Sequence, residues 1–205
     1  MRLRVGIADN SSGIPLLVGC TPRALADGQK APAAMARIDA MPLDCTMQTA
    51  GDYTLRNATN ADRPMVWILI SSVLRSYGIT PNEETTDKDL ADIEAYYWNN
   101  KGAFFVLLDG EEVIGTVALH HETDSVCELC RMYLAPQYRG QGLGRWMLEH
   151  SVREAKGNGF KEMYLKTASV LVEAIALYKR AGFTPIEGTK ANGNCDLVMR
   201  RTLES

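Results

Sequence analysis

From Tyr53 onward the apolar positions fall into short periods, whereas ahead of Asp52 they follow none. Tyr53 to Ala58 reads as a strand, and Asn60 stands as the cap of a helix carrying Met65, Val66, Leu69, Ile70, Val73 and Leu74 at helical spacing. Gly78 and Pro81 close that helix, and a second is predicted over Lys88 to Trp98 with Leu90, Ile93, Tyr96 and Tyr97 inward. The rhythm then turns strand-like. Ala103 to Leu108 and Val113 to His120, joined by Asp109-Gly110, predict a hairpin, and Val126 to Leu134 a third strand. Gln141 to Lys156 predicts a helix with Leu143, Met147, Leu148, Val152 and Ala155 on its apolar face, ended by Gly157-Asn158-Gly159. Met163 to Lys166 is a strand, Val170 to Arg180 a helix closed by Gly182, Phe183 to Ile186 a short strand, and Cys195 to Met199 the last one. The order β-α-α-β-β-β-α-β-α-β-β predicts an α/β (α+β) fold, a mixed central sheet flanked by helices.

Residues 1–50 differ in kind. They hold Pro15, Pro22, Pro32 and Pro42, many alanines and glycines and no aromatic residue. Such a stretch buries too little apolar area to offset its ordering entropy, so it is read as a flexible extension ahead of one folded domain over residues 51–205. Met35, Met41 and Met47 are each alternative starts. Leu17-Val18-Gly19-Cys20 spells a lipoprotein cleavage box, but Asp9, Asn10, Ser11 and Ser12 interrupt the apolar core such a signal needs.

Charge and cysteine usage narrow the function classes. The net charge is −3 and the basic residues form no dense cluster, which argues against general nucleic-acid binding. No apolar stretch approaches the length of a membrane span. The five cysteines (Cys20, Cys45, Cys127, Cys130, Cys195) are irregularly spaced and read as free thiols of a reducing, cytoplasmic compartment. Cys127 and Cys130, with His120 and His121 upstream, have zinc-like spacing. Strand residues three apart point to opposite faces, however, so no metal is expected there.

The most informative chemistry lies in Arg139-Gly140-Gln141-Gly142-Leu143-Gly144, between a predicted strand and a predicted helix. Glycines let the backbone turn tightly and approach a ligand, and the helix start adds free N–H groups and the positive end of its dipole. Together these suit a phosphate or pyrophosphate. The loop is not a Walker A loop, since Arg145-Trp146 replace the lysine and hydroxyl residue that should follow Gly144. Its glycine spacing also departs from the dinucleotide fingerprint.

The loop, the strand feeding it (Glu128-Leu129-Cys130-Arg131-Met132-Tyr133-Leu134) and the run Ala174-Ile175-Ala176-Leu177-Tyr178-Lys179-Arg180-Ala181-Gly182-Phe183 occur in the order seen in one family. Over residues 52 to 203 the chain resembles the GNAT superfamily of acyl-CoA-dependent N-acyltransferases. The resemblance implies a mixed, mostly antiparallel sheet and an acetyl-CoA-dependent N-acetyltransferase that needs no metal. The acetyl group would pass by direct attack, through a tetrahedral intermediate, to an amine of a small molecule or protein. It implies that the CoA pyrophosphate lies on the amides of Gln141, Gly142, Leu143, Gly144 and Arg145, with Arg139 and Gly140 completing the loop. The pantetheine arm would pair with the main chain of Met132 and Leu134. Tyr178 is the implied acid for the departing thiolate. Glu128 is the candidate general base, with His120, His121 and Glu122 as substitutes or acceptor-pocket residues. Glu128 reads equally well as a solvent-facing residue or a partner for Arg131. One departure is Leu171, where many members carry an asparagine beside the CoA arm.

Two other classes remain open: a non-catalytic acyl-CoA-binding or sensing module on the same fold, and a nucleotide-binding regulatory protein. The acceptor is not legible, although Glu83, Glu84, Asp87, Asp89, Asp92 and Glu94 make the segment around the second helix acidic. That pattern is read first as a solvated face. For the oligomeric state, a homodimer is the commonest arrangement.

Overall fold

Six apolar residues in a row, Ala103 to Leu108, call for a strand covered on both faces. The structure, a computed structural model that describes residues 47–82, 87–187 and 195–203, places them so. In this strand, β3 (Ala103–Asp109), side chains alternate. Ala103, Phe105 and Leu107 enter one apolar cluster, while Phe104, Val106 and Leu108 enter a second.

The remaining elements build outward from it. They are β1 (Met47–Ala50), β2 (Tyr53–Asn57), α1 (Arg63–Ser76), α2 (Ile93–Tyr96), β4 (Glu112–Thr123), β5 (Val126–Leu134), α3 (Leu143–Gly157), β6 (Glu162–Thr167), α4 (Val172–Arg180), β7 (Thr184–Pro185) and β8 (Leu197–Thr202). The strands form one sheet in the order β1-β2-β3-β4-β5-β6-β8-β7. Every neighbouring pair is antiparallel except β5 and β6. That exception follows from α3, which carries the chain back across the sheet as a crossover must. Val66, Ile70, Val73, Ile93 and Tyr97 from the first helical segments cover one face. Leu143, Met147, Leu148, Val152 and Tyr178 from α3 and α4 cover the other. No helix among the described residues is long and apolar enough to cross a membrane.

Two expectations need correction. A strand, β1, lies ahead of Asp52, paired with β2 around a turn at Gly51 (φ +64°). The helix expected over Lys88 to Trp98 is broken into a 3-10 turn at Lys88–Ala91, the short α2, and a second 3-10 turn at Trp98–Asn100. Asp92 causes the break: its backbone is extended, and its carboxylate caps a new helix by accepting from Ala95 N at 2.9 Å. Tyr96 is accordingly exposed, while Leu90, Ile93 and Tyr97 are buried as expected. The expectations for residues 1–46, including Cys20, Cys45 and the alternative starts Met35 and Met41, lie outside the described residues, as do Glu83 and Glu84.

A buried histidine on α3 gives the fold a pH sensitivity. His150 is 2% exposed, packs edge-on to Phe105 at 4.5 Å, and has neither ring nitrogen hydrogen-bonded among the described residues. Burial, assisted by the nearby Arg153 charge, pushes its pKa down from 6.5 to about 4. Above pH 6.5 the ring is neutral in both folded and unfolded chains. Between pH 6.5 and 4 only the unfolded chain gains the proton, so stability is lost as pH falls, by about 1.4 kcal/mol per unit at most. His150→Phe is expected to flatten that decline, which Tm measured across this pH range will show.

Candidate active site

The register between β4 and β5 slips at two points, His121 to Thr123 and Thr116 to Ala118, and the second bears on the site. Ala118 pairs with Cys130 and Thr116 with Tyr133, so Arg131 and Met132 both stand opposite Val117. This is a β-bulge, and Arg131 takes a left-handed backbone there (φ +52°). The extra residue reverses the alternation. Cys130 and Tyr133 pack with the α1 face of the sheet, while Met132 and Leu134 pack with the α3 face. Thr116 Oγ1 secures the bulge by donating to the Arg131 carbonyl at 2.8 Å.

Just here β5 parts from β6. Their pairing runs from Val126↔Glu162 to Leu129↔Leu165 and stops, so no described strand occupies that edge of Cys130 to Leu134. Unsatisfied main-chain groups at a strand edge are a template for an extended ligand.

The edge leads into the glycine loop. After a 3-10 turn at Pro136–Tyr138, Gly140 (φ +75°) and Gly142 (φ +85°) turn the chain into α3, where Gly142 is the N-cap. Trp146 N–H bonds to Gly142 O at 3.0 Å, but no described main-chain carbonyl accepts from Gln141, Gly142, Leu143 or Gly144. The side chains are less available than the amides. Arg139 donates to the Leu134 carbonyl at 3.2 Å and to the Tyr77 hydroxyl at 2.9 Å, whose ring it overlies. Arg145 pairs with Glu149 one helical turn on at 2.6 Å. Gln141 accepts from Tyr53 at 3.2 Å and donates to the Gln137 carbonyl at 3.3 Å.

Tyr178, near the end of α4, lies in the same apolar cluster as Met132, Leu134 and Leu143. It packs against Phe183 at 6.0 Å across the tight turn at Gly182 (φ +85°), where Phe183 N–H donates to the Tyr178 carbonyl at 3.0 Å. Burial, reinforced by Tyr133 and Cys195, raises its hydroxyl well above the ordinary tyrosine value, so it stays protonated through neutral pH.

Glu128 lies on the opposite face, in a polar cluster built by strand register. His120, Glu128 and Tyr164 are aligned across β4, β5 and β6. Glu128 Oε2 accepts from the Tyr164 hydroxyl at 3.1 Å and from Lys166 Nζ at 3.2 Å. Arg131 is therefore not its partner. Glu122 joins through His120 Nδ1 at 3.3 Å. Burial would raise its carboxyl, but hydrogen bonds with Tyr164 and His120 outweigh that and hold it below the usual value. His120, Glu122 and Glu128 bring donor atoms within 4.8 Å of one another, a spacing that can hold a cation, and Lys166 already supplies one positive charge there. Tyr96 stacks on His120 at 5.2 Å and forms part of the wall. His121 is not in this cluster. It aligns with Cys127 and packs near Phe160, so the four residues with zinc-like spacing divide between the two faces of the sheet. Cys195 interacts electrostatically with both Glu128 and Tyr178. Tyr164, Lys166 and the contribution of Tyr96 were not signalled by any sequence motif, because parallel register and a broken helix set them.

Comparison with known proteins identifies the family. Residues 70–183 match the model of the acetyltransferase (GNAT) family. The chain is 33% identical to the uncharacterized N-acetyltransferase YjgM of Escherichia coli, over 73% of this chain and 94% of that protein. It is 40% identical to human N-acetylaspartate synthetase over 46% of this chain, but over only 32% of that longer protein. Among solved structures, a GNAT-family acetyltransferase from Staphylococcus aureus superposes with a TM-score of 0.70 at 19% identity, covering 74% of this chain and 99% of that one. A putative acetyltransferase from Salmonella typhimurium with its cofactor acetyl-CoA superposes with a TM-score of 0.59 at 25% identity, covering 75% and 95%. The chain belongs to the GNAT acetyltransferase family.

Proposed function

We propose that this protein transfers an acetyl group from acetyl-CoA to an amine of a small molecule or protein. The observation that carries the reading is the β5 edge beyond Leu129, which no described strand occupies, running directly into glycine-loop amides that no described main-chain carbonyl engages. A pantetheine arm suits the first and a pyrophosphate suits the second. Acetyl-CoA supplies an activated acetyl thioester when bound. The residues named here bind it and move protons.

In this reading the amides from Gln141 to Arg145, approached closely across Gly140 and Gly142, hold the pyrophosphate. Arg139 and Arg145 add charge by exchanging their exposed contacts with Tyr77 and Glu149, which are weak enough to give way. Met132 and Leu134 offer main-chain groups to the pantetheine arm, Leu134 once Arg139 releases its carbonyl. Glu128 takes the proton from the acceptor amine, directly or through water, with His120 and Glu122 beside it to pass the proton outward. Tyr178 gives a proton to the departing thiolate. The carboxylates Glu122 and Glu128 also favour a cationic acceptor.

The test is release of free CoA from acetyl-CoA across a panel of small amines and N-terminal peptides. At least one acceptor is expected to accelerate release over the acceptor-free rate. Tight acetyl-CoA binding with no acceleration by any amine would instead establish an acyl-CoA-binding module. With an accepted amine, Glu128→Gln is expected to lower kcat by about tenfold with little change in the KM for acetyl-CoA.

A further inference from the structure

The bulge in β5 presents a physical problem. Arg131 adopts φ +52°, a region that residues with a Cβ rarely occupy and that persists only where the surroundings enforce it. The surroundings here are unusually specific. Its guanidinium bonds through Nη1 to Asp87 Oδ1 at 2.5 Å, through Nε to Asp89 Oδ2 at 2.9 Å, and through Nη2 to Asp89 Oδ1. Side-chain exposures of 13%, 3% and 8% for Arg131, Asp87 and Asp89 put this group out of solvent, where such pairing is strong and directional. Both acids are held in turn. Tyr97 donates its hydroxyl to Asp89 at 2.5 Å, and Asp87 receives Asn82 N–H at 2.8 Å.

The two carboxylates belong to the segment between α1 and α2, far from β5 in sequence. A surface ion pair would not need two acids, a tyrosine and nearly complete burial. We propose that Arg131 is a positioning residue: its guanidinium, gripped by Asp87 and Asp89, holds the left-handed backbone of the bulge and thereby the strand edge that meets acetyl-CoA. The proposal rests on the donor site assigned above. It makes the acidic segment around Asp87 and Asp89 a clamp on the donor strand and not a solvated face. Without the clamp, a residue with a Cβ relaxes out of φ +52°, the alternation of Met132 to Leu134 is no longer fixed, and the edge loses its alignment with the loop amides.

Glycine separates this role from simple structural support, because it occupies positive φ without strain. Two triple variants are compared, Arg131→Met and Arg131→Gly, each with Asp87→Asn and Asp89→Asn so that no buried carboxylate is left unpaired. Acetyl-CoA affinity is read by calorimetry and folding by circular dichroism. The methionine variant is expected to bind acetyl-CoA at least about tenfold more weakly than the wild type, and the glycine variant within about threefold of it. Equal affinity in the two variants, whether strong or weak, would overturn the proposal. Asp89→Asn alone, which leaves the guanidinium on Asp87, is expected to weaken binding about threefold. Unchanged affinity there overturns the proposal even if the methionine variant does not fold. A wild-type protein that fails to bind acetyl-CoA would be a different failure, removing the donor site itself.

Discussion

Replacing Tyr178 by phenylalanine is expected to lower kcat about a hundredfold while leaving the acetyl-CoA dissociation constant within about twofold. The substitution removes one oxygen from a buried ring and keeps the packing on Phe183. No described residue hydrogen-bonds the hydroxyl, so its loss orphans no partner and the fold has little reason to change. The chemistry has every reason to change. A thiolate leaving into an apolar cleft is poorly solvated, and burial disfavours the charged form of the chain's own thiols in the same way, pushing Cys127 and Cys130 up to about 12. Burial raises the Tyr178 hydroxyl too, so it holds the proton that the departing thiolate needs. Free-thiol release with an accepted amine, paired with calorimetry for acetyl-CoA, separates the two quantities. An unchanged kcat would remove the acid role from Tyr178.

The parts of this molecule that were legible in the sequence are those set by local chemistry. The limits of β5, Val126–Leu134, follow from its residues alone, as do the hairpin at Gly110 and the glycine loop. What escaped was set by residues distant in sequence. The broken helix around Asp92 looks periodic because Leu90, Ile93 and Tyr97 are all buried, yet Asp89 just ahead of them is buried too, against an arginine on β5. No periodicity announces the bulge, since it inserts one residue into a strand whose apolar pattern reads through it. Glu128 pairs with Lys166 and Tyr164 and not with Arg131, because the parallel β5–β6 register decides its neighbours. The four-residue β1 is too short to show alternation, and only its pairing with β2 defines it.

The glycine loop permits a sharper test of the donor site than charge removal does, because Gly142 and Gly144 differ in what a side chain would cost. Gly144→Ala places a methyl in ordinary contact with Leu177 at 3.6 Å and favours the helix, so both Tm and acetyl-CoA affinity are expected to hold. Gly142→Asp is expected to raise the acetyl-CoA Kd at least about a hundredfold, with a modest loss of Tm because a Cβ is placed at φ +85°. Aspartate is among the residues that best tolerate a left-handed backbone, and at this position its carboxylate stands beside the first amides of α3. Those are the amides assigned to the pyrophosphate. The carboxylate would therefore crowd the donors and repel the ligand at once. Thermal unfolding with and without acetyl-CoA reads both effects in one experiment: ligand-induced stabilisation should vanish in Gly142→Asp and persist in Gly144→Ala. If Gly142→Asp folds and is still stabilised by acetyl-CoA as the wild type is, the pyrophosphate does not lie at the start of α3.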